Sequence, residues 1–347
     1  MKKSSVVISS IVILIFLCAV CPHSLNAARK NNPQKRPKIG LVLGGGGAKG
    51  AAEIGVLKYI EEANIPIDYI AGTSIGSIIG GLYSVGYRHA ELDSLFHSQQ
   101  WMDLLTDRNS SVASHPYKVR DSVAYVFGFP IHNRHKVKDK SRKHTFGVVL
   151  GDSVQSLLEE TSRCHDSISF DKLPIPFRCV AVDIRTMEEI VFSQGSLPLA
   201  MRASMSIPGA YKPVVKDSML LVDGGMLNNL PVDVVKAMGA DIVIAVDLTQ
   251  NKREKYENKE IKKMKSLSAD EYSQFSRIIA WVKERPDLIK YRVNSKAADI
   301  YINPDLKGFS AADFHQKKID EMILRGEQAG KDALPKLRAL SKKLHKR

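Results

Sequence analysis

Two strand-turn-helix units set close together constrain this chain more than any other feature. Ile39-Gly40-Leu41-Val42-Leu43 is a short apolar run of the kind that forms a buried strand. Gly44-Gly45-Gly46-Gly47 then leads through Ala48-Lys49-Gly50 into a stretch where Ile54, Leu57 and Ile60 recur at helical spacing. Asn64 and Pro66 close that helix. Tyr69-Ile70-Ala71 is a second short strand. It runs into Gly72-Thr73-Ser74-Ile75-Gly76, after which Ile75, Ile78, Ile79 and Leu82 mark one face of a second helix. The rhythm stops over residues 101–145 and then resumes, with strands expected at 178–184, 219–222 and 242–246 and helices at 197–203 and 231–238. Strands alternating with helices dictate an α/β fold, a mostly parallel sheet covered by helices.

The glycine loop admits three chemistries. Gly45-Gly46-Gly47-Ala48-Lys49-Gly50 fits G-x-G-x-x-G between a strand and a helix, the setting of a dinucleotide site. The ribose-binding acid should then end the second strand, whereas Asp68 opens it. A phosphate loop needs Gly-Lys followed by Ser or Thr, and the order here is Lys49-Gly50-Ala51. The third chemistry is an oxyanion hole, because consecutive glycines bare their N–H groups at the positive end of a helix.

Gly72-Thr73-Ser74-Ile75-Gly76 is G-x-S-x-G at a strand-to-helix turn, which lifts a serine hydroxyl clear of the sheet. Ser74 is thus either a nucleophile or an ordinary helix N-cap. No histidine after it sits in a convincing late-strand motif; His315 falls in the polar C-terminal region. The candidate base is instead Asp223, which ends the apolar run Met219-Leu220-Leu221-Val222 and precedes Gly224-Gly225. Ligands gather at the carboxyl ends of parallel strands, so Ser74 and Asp223 are expected to face one pocket. Asp223-Gly224-Gly225 also reads as a plain turn.

Composition bounds the alternatives. With 44% hydrophobic and 25% charged residues over 347, the chain is globular rather than disordered. Aromatics make up 7%, and no reading motif is present, so no nucleic-acid partner is expected. Lys2 and Lys3, an uncharged run from Val6 to Val20 and Leu25-Asn26-Ala27 read as a secretory signal peptide over residues 1–27. Its Lys2 and Lys3 account for two units of the formal charge of +14. Cys18 and Cys21 fall inside that leader, leaving Cys164 and Cys179, either paired or as separate thiols. H-E-x-x-H is absent, and no metal or cofactor is expected. Residues 134–143 carry six Lys/Arg against one acid, a patch suited to anionic lipid surfaces. Residues 28–38 read as a basic linker, 39–248 as the α/β domain and 249–347 as a charged, mainly helical extension. Its last turns place Ile319, Met322, Ile323, Gly326, Ala329, Ala333 and Leu337 on one stripe.

Gly44 to Gly50, Gly72 to Gly76 and Asp223-Gly224, in this order, together with Ala203-Ser204-Met205-Ser206-Ile207-Pro208-Gly209, resemble the patatin-like phospholipase family. The resemblance implies a three-layer α/β/α fold and hydrolysis of lipid acyl esters by a Ser-Asp dyad without a histidine. It implies Ser74 as nucleophile, Asp223 as proton acceptor and Gly45, Gly46 and Gly47 as oxyanion donors. Gly44, Lys49, Gly50, Gly72, Gly76, Gly224 and Gly225 complete the motifs, with Lys49 where the family carries Arg or Lys. Gly326-Glu327-Gln328-Ala329 resembles the connector of larger secreted bacterial members that continue into an outer-membrane β-barrel. The expectation is a periplasmic or secreted enzyme without that barrel, acting on phospholipid or another lipid ester. A thioesterase and a non-catalytic lipid binder are the alternatives.

Overall fold

Strand β1 (Ile39–Leu43) is buried along its whole length, which is why its apolar residues run without polar alternation. The computed structural model describes residues 36–107, 149–162, 167–250 and 287–345, with a short strand pair at Tyr125–Val126 and Phe129–Pro130. The central sheet adds β2 (Tyr69–Thr73), β3 (Phe177–Asp183), β4 (Glu188–Phe192), β5 (Val214–Lys216), β6 (Met219–Asp223), β7 (Ile242–Val246) and β8 (Ile300–Ile302). Its order is β8-β7-β1-β2-β3-β6-β5, with β4 also paired to β3. Strands β8, β7, β1, β2 and β3 run parallel, whereas β4 and β6 pair antiparallel with β3.

Alternate residues of these strands feed two cores. Leu41, Leu43, Ile70 and Ile244 pack beneath α1 (Ala51–Glu62), α2 (Ile75–Ser84), α6 (Leu197–Ser204) and α9 (Gln316–His345). Val42, Ala71, Val180 and Val243 face α7 (Val232–Ala237) and Tyr291 of α8 (Leu288–Ala297). Three layers, α/β/α, follow from that alternation. Of three more helices, α3 (His89–Ser98) packs on α1, and α5 (Asp152–Ser162) packs on α6, α2 and α4 (Trp101–Leu105).

The register around β3 positions the site. Strand β4 pairs with Cys179 through Asp183 and so occupies one edge of β3. Strands β2 and β6 must share the other. Thr73 ends β2 opposite Val180, and Asp223 ends β6 opposite the next residue, Ala181. The two strands therefore arrive from opposite directions and meet end to end. This corrects the expectation that Asp223 closes a parallel strand. It reaches Ser74 because β3 overshoots β2 and an antiparallel strand runs back along the overhang.

The residues expected as a charged extension supply edge strand β8 to the sheet and lay α9 across α1. The helices cross at Gly326, where a Cβ would overlap the Ala52 carbonyl, so only glycine fits. Buried Ile319, Met322, Ile323 and Leu337 on α9 match the expected stripe, with Leu340 and Leu344 extending it. Cys179 is a buried thiol on β3. Cys164, the residues expected as a leader and the basic patch expected at 134–143 lie outside the described residues. No helix among the described residues is long and apolar enough to cross a membrane.

Candidate active site

Ser74 stands between β2 and α2 with φ 55° and ψ −126°, a backbone state that an L-residue adopts only under strain of about 1–3 kcal/mol. Packing imposes it. A Cβ on Gly72 would overlap the Gly76 carbonyl, and one on Gly76 would overlap the Leu43 carbonyl. The turn thus closes with backbone against backbone. The Ser74 N–H donates to Ser204 Oγ at 2.9 Å, and Ser204 Oγ donates to the Val180 carbonyl at 2.6 Å. Ser204 lies in the quoted Ala203–Gly209 stretch, but sequence reading gave it no role; the small residues following a helix were its only signal.

Ser74 Oγ donates to Asp223 Oδ2 at 2.6 Å, and the Gly225 N–H donates to Asp223 Oδ1 at 2.7 Å. Ser74 and Asp223 are both buried. Burial pushes the Asp223 carboxyl up to about 6, against the opposing pull of the hydrogen bonds from Ser74 and Gly225. A buried carboxylate with only two donors is a stronger base than a solvated one, yet stays ionised at neutral pH.

The turn after β6 ties three motifs together. Its Asn228 carbonyl accepts from Thr73 Oγ1 at 2.8 Å, anchoring the serine turn. Its Asn229 carbonyl accepts the Gly45 N–H at 3.1 Å, and Asn229 Nδ2 returns a bond to the Gly45 carbonyl at 3.1 Å. The Gly44 N–H is likewise taken, by the Val246 carbonyl at 3.1 Å. Gly45 was expected as an oxyanion donor, but its N–H is engaged in holding the loop. Among the described residues, the N–H groups of Gly46 and Gly47 meet no acceptor. Both glycines line the cavity that opens on Ser74. Two bare donors beside a serine hydroxyl suit a developing oxyanion.

Lys49 and Gly50 sit in the turn that starts α1 and line no part of that cavity. Burial lowers the Lys49 ammonium, partly offset by Asp313. Gly224 packs against the Val180 carbonyl. Behind the loop, in the first turn of α1, Glu53 is fully buried, and neither carboxyl oxygen has a hydrogen-bond partner among the described residues. Burial raises its carboxyl well above the usual range, the nearby Gly44 amide opposes in part, and the Asp247 charge adds to the rise. Asp247 is itself fixed by Tyr291 and Tyr301 hydroxyls at 2.5 and 2.6 Å. No histidine lines the site among the described residues.

The sheet and this site define an α/β/α protein built around a serine turn that faces a single buried carboxylate. The chain belongs to the patatin-like phospholipase family, whose model matches residues 41–236. Patatin-like phospholipase domain-containing protein 7 of Mus musculus is 31% identical over 212 residues, 60% of this chain and 13% of that protein. Lysophospholipase NTE1 of Mycosarcoma maydis is 35% identical over 226 residues, 65% of this chain and 10% of its own length. The chain thus spans a small fraction of these relatives. Among solved structures, VipD from Legionella pneumophila aligns with 88% of this chain and 67% of its own, at 16% identity and a TM-score of 0.46.

Proposed function

We propose that the protein is a serine lipid acyl hydrolase, of phospholipase A or carboxylesterase type, working through Ser74 and Asp223. The observation that carries this reading is the 2.6 Å bond from the strained, buried Ser74 hydroxyl to Asp223 beside two unengaged glycine N–H groups. Ser74 Oγ attacks the ester carbonyl carbon while its proton passes to Asp223 Oδ2. The carbonyl oxygen becomes an oxyanion held by the Gly46 and Gly47 N–H groups. Collapse expels the alcohol, which takes the proton back from Asp223. Water, deprotonated by the same carboxylate, then attacks the acyl-serine and releases the free acid, and the proton returns to Ser74. The serine and carboxylate supply the whole sequence. The names of the relatives make phospholipids and lysophospholipids the first substrates to try. The leader read at residues 1–27 supports action in the cell envelope or outside the cell.

The test is fatty-acid release from phosphatidylcholine vesicles and from lysophosphatidylcholine by the full chain, beside folded Ser74→Ala. Release by the parent alone is expected. Equal release by both proteins rejects the reading. Turnover of a soluble short-chain ester alone, again dependent on Ser74, narrows it to a carboxylesterase.

A further inference from the structure

Two cavities open on Ser74, and their chemistry differs. One, of about 220 Å³, takes in Asp223, Asn229 and the glycine loop. The other, of about 70 Å³, is walled by Ile78, Trp101, Leu105, Val154, Met205 and Phe314. Gly47, Ser74, Ile207 and Ala311 border both, so the serine stands at a fork. The second chamber has no charged side chain among its described lining residues. Its polar aromatic atoms are turned away into the backbone. Trp101 Nε1 donates to the Phe96 carbonyl at 2.8 Å and the Tyr211 hydroxyl to the Leu105 carbonyl at 3.2 Å. What faces inward is hydrocarbon.

Chemistry then decides which branch takes which half of an ester. The departing oxygen must receive its proton from Asp223, and Asp223 lines only the larger, more polar cavity. The alcohol belongs there and the acyl chain in the hydrocarbon branch. Since roughly 150 Å³ of apolar cavity holds benzene, with six carbons, 70 Å³ holds about three beyond the carbonyl. One wall of the chamber is aromatic, with Trp101 and Phe314 ring centroids 5.7 Å apart and Phe96 tilted against Trp101 at 4.7 Å. Phe314 comes from the segment after β8. Nearby in that segment, the Ala311 carbonyl accepts the Ala48 N–H of the glycine turn at 2.8 Å.

We propose that this chamber is the acyl site and that the Trp101–Phe314 wall sets acyl length, admitting a butyryl group as it stands and longer chains only when the wall is displaced. This rests on the hydrolase reading above. The test uses p-nitrophenyl acetate, butyrate and octanoate, which share one leaving group, with parent, Phe314→Ala and Ile78→Phe. The parent is expected to favour butyrate. Phe314→Ala should move the kcat/KM ratio of octanoate to butyrate upward by about tenfold or more, and Ile78→Phe should move preference toward acetate. Because each protein is compared with itself across substrates, a general loss of folded enzyme cancels. If Phe314→Ala does not fold, the opposite shift in Ile78→Phe decides. Silence of the parent toward these esters and toward the phospholipid and lysophospholipid alike overturns the hydrolase reading and this proposal with it, whereas silence toward these esters beside lipid hydrolysis overturns the chamber alone. Ser74-dependent hydrolysis with a chain-length profile untouched by either substitution overturns the chamber alone.

Discussion

The serine turn and the glycine loop are both strand-to-helix connections rich in glycine, and Gly46 of the loop serves a different end from Gly72 and Gly76 of the turn. In the serine turn, Gly72 and Gly76 let backbone press on backbone, and a side chain at either would overlap a carbonyl. That crowding holds Ser74 at φ 55°. In the loop, a Cβ on Gly46 would meet the Leu248 side chain, Cδ1 at 2.8 Å and Cβ at 2.9 Å, with no backbone atom among its nearest neighbours. Gly47 is packed as closely as the serine turn, at φ 59° with a Cβ that would overlap the Ala311 carbonyl, but it and Gly46 also keep their N–H groups bare. One turn stores strain and the other presents donors, so damage to them should look different.

The largest effect is expected where the two turns converge. Asp223→Asn keeps the size and the acceptor for the Gly225 N–H but cannot take the serine proton. Its kcat should fall by about 10⁴-fold. The parent's kcat/KM should rise with pH through about 6, because Asp223 must be ionised to act as base, and the residual activity of the variant should lack that limb. The sign for stability is opposite. A carboxyl raised on folding contributes stability at low pH that is lost as the pH climbs through about 6, so the asparagine variant should melt no lower than the parent at pH 7.5. Near-parent turnover would break the pairing of Ser74 with Asp223.

Next in size is the contrast between turns. Gly76→Ala drives a methyl into a backbone carbonyl and should cost about 3 kcal/mol, with activity and thermal stability lost together. Gly46→Ala should cost about 1 kcal/mol but lower kcat by about tenfold or more, by tilting a donor away from the oxyanion. Melting curves and single-substrate kinetics on both variants check this. Equal melting temperatures would erase the distinction.

The smallest effect concerns the support behind the loop. Glu53 holds its proton in the fold to a higher pH than in the unfolded chain, so its contribution to stability fades as the pH rises above about 4.5. Glu53→Gln mimics the protonated acid. The melting difference should be slight at pH 5 and widen in favour of the glutamine variant toward pH 8. A difference constant with pH would show that Glu53 does not titrate from a raised position.

The parts of the site legible in the sequence are local ones. The glycine loop, the serine turn and Asp223-Gly224 each depend on a few adjacent residues, and the helix stripes of α1, α2 and α9 follow from their own periodicity. What escaped depends on partners far along the chain. The direction of β6 is set by β3 overshooting β2, which no apolar run records. Strand β4 escaped because its exposed and half-buried positions give no clean alternation. Gly45 looked like a free donor until Asn229, from a distant turn, took its N–H. Trp101 and Phe314 meet only in the fold, one before the serine's distant partner and one after β8.

The Ala311 carbonyl that receives the Ala48 N–H, and Gly326 seated on Ala52, have a consequence for the order in which this protein is made. A ribosome emits Ser74 before the Asp223 carboxylate that accepts its hydrogen bond, and the Ala311 carbonyl that holds the glycine loop later still. A nascent chain interrupted between Asp223 and Ala311 owns both Ser74 and Asp223 and still lacks that clamp on the loop. The glycine loop therefore gains this clamp only once the chain has been made as far as Ala311, well after the Ser74–Asp223 pair can form.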